Sequence, residues 1–193
     1  MREAQRLGFL GPGPITTHIE RAVDLAGAVD VPPQRALDLG SGAGVPGLPL
    51  ALLWAETRWV LLDGSVTRAS FLERAVNELQ IGQRVTVVGS RAEEAARGEL
   101  RGAFDLVVAR SFAGPAVTAE CGSPFLEVGG LLVVAEPPGG DPGRWDGSGL
   151  AKLGLELGAT RSRPTAFQSL VQVSPCPDRY PRRVGVPAKR PLF

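Results

Sequence analysis

The feature that most constrains this chain is a glycine-rich loop fed by an apolar strand. Arg35-Ala36-Leu37-Asp38-Leu39 runs straight into Gly40-Ser41-Gly42-Ala43-Gly44-Val45-Pro46-Gly47. Glycines let the backbone turn sharply and approach a ligand that a Cβ would hold away. At the carboxyl end of the first strand of an open α/β sheet, such a loop lies where nucleotides bind. So many glycines in one turn cost conformational entropy, which argues for a ligand rather than a plain turn.

Downstream, strand and helix patterns alternate. Strands are expected at residues 35–39, 58–62, 84–88, 104–109 and 131–135, with helices at 47–54, 66–79, 92–97 and 115–121. The fourth strand is apolar almost throughout, as a sheet covered on both faces requires. An amphipathic helix over 15–29 precedes them, with Ile15, Ile19, Ala22, Val23 and Ala26 on one face, started cleanly by the stretch Gly11-Pro12-Gly13-Pro14. Residues 139–149 read as a turn-rich loop. Residues 153–159 and 167–173 read as an antiparallel pair closing the sheet. Residues 174–193 carry five prolines and are expected to form no regular element. The fold class is therefore α/β, a Rossmann-like doubly wound sheet with a C-terminal antiparallel pair. The 193 residues suit one domain. It divides into an N-terminal helical segment (1–34), a core (35–173) and a Pro/Arg-rich tail (174–193).

Composition narrows the function. No apolar run approaches the ~18 residues of a membrane span, and residues 1–10 carry both charge signs without a signal-peptide core. Cys121 and Cys176 lack zinc spacing, which points to a reducing cytoplasm. A net charge of +1 excludes a globally basic nucleic-acid binder. The charge is uneven, however: from residue 160 onward seven basic residues face the single acid Asp178.

Two readings of the loop compete. Gly42, Gly44 and Gly47 satisfy the G-x-G-x-x-G of dinucleotide folds, whose helix N-terminus receives a pyrophosphate. Gly40, Gly42 and Gly44 equally form the G-x-G-x-G of enzymes that use S-adenosylmethionine (SAM). The second is favoured because Asp38 places a charge where a pyrophosphate would not welcome it, and because no His/Lys pair for hydride chemistry is evident. Asp63 ends the second strand 23 residues after Gly40, where an acid accepts hydrogen bonds from ribose hydroxyls. In Ser90-Arg91-Ala92-Glu93-Glu94, a backbone amide could meet an adenine ring, or the acids could simply favour a helix start. Arg110 ends the fourth strand and should face the cleft, as a site residue or as the ion-pair partner of a cleft acid.

Together these segments resemble the bacterial small-subunit rRNA methyltransferase G family, also called glucose-inhibited division protein B. The resemblance rests on DLGSGAGVPG (38–47), LLDGS (61–65), Phe71-Leu72, SRAEE (90–94), FDLVVARSF (104–112) and the ending YPRRVGVPAKRPL (180–192). It implies a cytoplasmic class I methyltransferase that moves a methyl group from SAM to N7 of a guanine in 16S rRNA, without a metal. The implied partner is 16S rRNA or the small ribosomal subunit, with no DNA and no membrane. By position, the implied SAM contacts are Gly40, Val45, Ala92, Glu93 and Arg110, beside Asp38, Gly42, Gly44 and Asp63. Where members usually end the fifth strand in Lys-Gly, this chain has Glu136-Pro137.

Guanine N7 carries a free lone pair, so its methylation needs alignment rather than deprotonation. The sequence suits this: its one histidine, His18, lies outside the motifs and reads as a surface or packing residue. Neither cysteine has an evident activating base. In the tail, Arg182 and Arg183 are candidates for RNA phosphate contacts. The alternatives are a SAM enzyme acting on another RNA or a small molecule, or a non-catalytic RNA-binding relative.

Overall fold

The computed structural model describes residues 1–137 and 142–193. Of the expected loop 139–149, residues 139–141 lie outside this range. In chain order the elements are α1 (Arg2–Arg6), α2 (Ile15–Leu25), β1 (Arg35–Leu39), α3 (Gly47–Leu53), β2 (Arg58–Leu62), α4 (Val66–Glu78) and β3 (Val85–Val88). They continue with α5 (Ala92–Ala95), β4 (Phe104–Arg110), α6 (Pro115–Gly122), β5 (Leu126–Ala135), α7 (Gly147–Ala151), β6 (Leu155–Arg161), β7 (Phe167–Gln172) and α8 (Val186–Lys189).

Among the described residues, seven strands form one sheet in the order β3-β2-β1-β4-β5-β7-β6. The first five are parallel, and β7 pairs antiparallel with both β5 and β6. The order reverses between β1 and β4, so the crevice at their carboxyl ends is where such a sheet receives ligands. Strand periodicity sorts the core into two layers. Ala36 joins Leu50, Leu61, Leu72 and the helices α2, α3 and α4 on one face. Leu37 and Leu39 join Phe104, Phe125, Leu132 and Leu150 on the other, under α5, α6 and α7. Tyr180 and Cys176 belong to that second layer, so the tail is part of the core rather than a free arm.

Several elements depart from the sequence expectation, among them α7, which begins within the expected loop 139–149, and β6, which starts two residues late. Strand β5 begins at Leu126, five residues early, because a register shift separates Phe104↔Leu126 from Leu106↔Leu131. Gly129 sits in the intervening stretch at φ +90°, and the Gly129-Gly130 pair hides the strand pattern. The helix expected over 15–29 ends at Leu25 and tightens into a 3₁₀ turn, Ala26–Ala28. The tail, expected to be irregular, holds the short α8, whose Pro187 occupies the first turn, where a missing N–H costs nothing. Helix α1 lies in the segment expected to be helical, and just after it Phe9 stands edge-on to Phe71 at 5.7 Å.

Candidate functional site

The loop after β1 is built around Asp38. Its carboxylate is 1% exposed and accepts the backbone N–H of Gly47, the first residue of α3, at 2.9 Å. Burial pushes the Asp38 carboxyl up to about 6, while its hydrogen bonds to Ser41 and Gly47 and the Arg110 charge pull the other way. Gly47 must lack a side chain, because a Cβ would come within 2.5 Å of Asp38 Oδ2 and 2.6 Å of Leu61. The loop crosses toward β2, where Ser41 N–H donates to Leu62 O at 2.9 Å.

Asp63 then ties the two strand ends together. Its Oδ2 accepts Gly42 N–H and its Oδ1 accepts Ser65 N–H, each at 2.9 Å. Arg68 stands 3.8 Å away. Gly42 has φ +55° and a Cβ there would point into open space, 3.8 Å from Gly40 O. A left-handed residue facing an open crevice is what close ligand approach requires. The other loop residues are placed differently. Gly44 abuts Leu48 and Leu72, which makes it a packing position. A Cβ on Gly40 would lie 2.5 Å from the Phe112 ring, so the loop is lined by that aromatic from the β4 side. Val45 is buried, with its side chain in the first core layer.

Ala92 opens α5 at the end of β3 and is 6% exposed. Glu93 carries a partner the sequence did not suggest: its Oε1 accepts Gly185 N–H from the tail at 3.0 Å. Asp38, the glycine loop, Asp63 and Ala92 thus stand side by side at the carboxyl ends of β1, β2 and β3.

Arg110 ends β4 and borders a cavity of about 920 Å³ over the ends of β4 and β5. Burial pulls its guanidinium below the usual value, opposed by the Asp38 charge and assisted by Arg21. The cavity is walled by α2, by the segment after β5 and by the connection between β6 and β7. His18, Arg21, Phe112, Glu136 and Trp145 line it with Arg110. His18, expected at the surface or in packing, is half-buried at this wall, its Nε2 3.2 Å from Gly11 O. Sequence reasoning also missed Trp145 and Glu136 as wall residues. A tryptophan inside a Gly-rich loop was the available signal.

The structure sets Arg182 in a structural role. It clasps the fully buried Glu120 through Nε (2.8 Å) and a terminal nitrogen (2.5 Å), and its own N–H reaches the same carboxylate at 2.9 Å. Arg97 and Arg101 bind tail carbonyls at Pro181, Tyr180 and Cys176. Arg183 is exposed. Both cysteines are buried, and burial raises both thiols, Cys121 strongly so. A thiol held protonated is a poor nucleophile. Among the described residues, no group of three acids, histidines or cysteines is placed to hold a metal ion, and no helix is long and apolar enough to cross a membrane.

Comparison with known proteins gives a consistent family. Residues 14–136 match the family described as GidB, rRNA small subunit methyltransferase G. The chain is 33% identical to the ribosomal RNA small subunit methyltransferase G of Syntrophomonas wolfei, over 94% of this chain and 87% of that one. It is 38% identical to the protein of that name from Carboxydothermus hydrogenoformans, over 84% and 73%. Among solved structures, a 16S rRNA N2 methyltransferase from T. thermophilus, in complex with AdoMet and guanosine, superposes with a TM-score of 0.55. It is 22% identical, over 87% of this chain and 43% of that one. A predicted O-methyltransferase from Agrobacterium tumefaciens gives 0.60 at 21% identity, over 79% and 81%. At these identities the solved structures speak for the fold.

Proposed function

The chain belongs to the rRNA small subunit methyltransferase G family, and from that premise we propose that it transfers a methyl group from SAM to N7 of a guanine in 16S rRNA. One observation carries the reading: the glycine loop, Asp63 and Ala92 share one crevice, and a cavity opens beside it over β4 and β5. The residues fit SAM. Gly42 leaves open space for a ligand, and each Asp63 oxygen accepts one backbone N–H, which leaves capacity for ribose hydroxyls. Ala92, with Glu93 beside it, borders the adenine position, and Asp38 with Arg110 sets the charge at the loop.

SAM, when bound, supplies a methyl carbon activated by its sulfonium. The chain's residues then orient and desolvate. Guanine N7 keeps its lone pair at neutral pH, so no side chain has to remove a proton; the cavity has to hold the base in line with the donor and exclude water. The buried thiols take no part. Arg21, Arg110 and Arg163 around the cavity, with Arg183, Lys189 and Arg190 on the tail, offer charge to the RNA backbone. Arg182 is occupied by Glu120, so Arg183 is the member of that pair available to a phosphate. The partner is 16S rRNA, free or within the small subunit, which sets the site of action in the cytoplasm. Calorimetric titration tests the donor: SAM binds and NAD does not, whereas binding of NAD alone overturns the reading.

A further inference from the structure

Glu136 follows directly on β5, whose last residue, Ala135, is in register with Arg110 of β4. Its side chain is only 7% exposed yet lines the cavity. Two donors fix it. Arg144 binds Oε2 at 2.5 Å and the Trp145 indole N–H binds Oε1 at 3.1 Å. Trp145 is 3% exposed, so that indole is locked by packing. A carboxylate has about four lone-pair positions. Among the described residues each oxygen meets one side-chain donor, which leaves it capacity for a second. Both carboxylate oxygens are thus held in place on a residue of the cavity wall.

We propose that Glu136 reads the N1–H and N2–H₂ edge of the target guanine; this deepens the methyltransferase reading and rests on it. Two adjacent donors on one edge match two carboxylate oxygens. Adenine offers an acceptor at N1 and has no amino group at C2, so it is refused. Reading a base by its Watson–Crick edge while an aromatic ring supports its face is how enzymes hold an extruded base. Phe112 supplies that ring, since it lines the same cavity and also packs on Gly40. A guanine held at N1 and N2 turns its imidazole ring, and so N7, away from Glu136. The shared Phe112 wall connects that side of the cavity to the donor loop. Arg21 and Arg163 border the cavity where flanking phosphates would enter.

Ligand-observed NMR titration of the full chain with guanosine, inosine and adenosine 5′-monophosphates tests this without methyl transfer. Inosine lacks only the N2 amino group. Guanosine monophosphate is expected to bind about tenfold more tightly than inosine monophosphate, the size of one hydrogen bond to a charged group. The adenosine nucleotide should bind most weakly. Glu136→Gln is expected to bring the first two within about twofold, and Trp145→Phe, which keeps a ring but removes the indole donor, to narrow the gap partly. Equal affinities in the unaltered protein, or an undiminished preference in Glu136→Gln, would overturn the proposal. If Glu136→Gln does not fold, an unchanged preference in Trp145→Phe does so. A parallel SAM titration separates the two ideas: SAM binding without guanine preference sinks only the role of Glu136, and absence of SAM binding sinks the methyltransferase reading.

Discussion

The backbone N–H of Gly42 donates to the carboxylate of Asp63 across 2.9 Å, which fastens the loop after β1 to the end of β2. Asp63 therefore shapes the crevice as well as lining it. Asp63→Ala should weaken SAM binding at least about tenfold and cost roughly 1–2 kcal/mol of stability through the freed loop amide. Calorimetry and denaturant melts read the two effects, and unchanged SAM affinity would leave Asp63 as a turn residue only.

Gly42 and Gly44 should separate by phenotype although both have positive φ. Each alanine variant pays about 1–2 kcal/mol of left-handed strain. A Cβ on Gly42 enters open space, whereas one on Gly44 meets Leu48 and Leu72. Gly42→Ala should thus lose SAM affinity with modest destabilisation. Gly44→Ala should lose more stability, and the reverse ranking counts against the placement of the donor.

Asp38 gives the protein a pH signature. Its carboxyl titrates at about 6 in the fold and near 4 in the unfolded chain. Between those values the native state binds more protons, so the Asp38 contribution to stability falls as pH rises from about 4 to about 6 and stays lost above. Asp38→Asn keeps an oxygen for the Gly47 N–H and removes the charge. Relative to the unaltered protein it should gain stability over that interval, on the order of 1–3 kcal/mol by pH 7. Parallel stability–pH curves for the two proteins would contradict this.

Arg182 and Arg183 are neighbours with different duties. Arg182→Ala leaves Glu120 buried without its counter-charge and should cost about 3 kcal/mol or more. Arg183→Ala should leave the melting transition in place, weaken RNA binding and lower the salt slope by about one. Equal effects of the two variants on RNA affinity, with no difference in stability, would mean that the tail is not held as described.

The core of the fold was legible because strands β1 to β4 and helices α3 and α4 follow local rules. Apolar strands end at glycine, Asp63 or Arg110, and helix starts follow within a few residues. The crevice was legible for the same reason, since Asp38, Gly42 and Asp63 all lie at strand ends. Long-range pairings were not. Nothing near Arg182 announces Glu120, which lies 62 positions away, nor does Glu93 announce Gly185, at 92. The cavity wall draws Glu136, Trp145 and His18 from three separate segments, so no spacing rule could gather them. The start of β5 was obscured by Gly129 and Gly130, where a bulge interrupts the strand pattern.

The proposed methyl transfer is tested most directly by incubating the purified protein with isotopically labelled SAM and small ribosomal subunits lacking base methylation, then digesting the 16S rRNA to nucleosides for mass spectrometry. Transfer to guanine N7 places the label in 7-methylguanosine, at one site per rRNA molecule. Label in any other nucleoside, or none in the rRNA while SAM still binds, would contradict it.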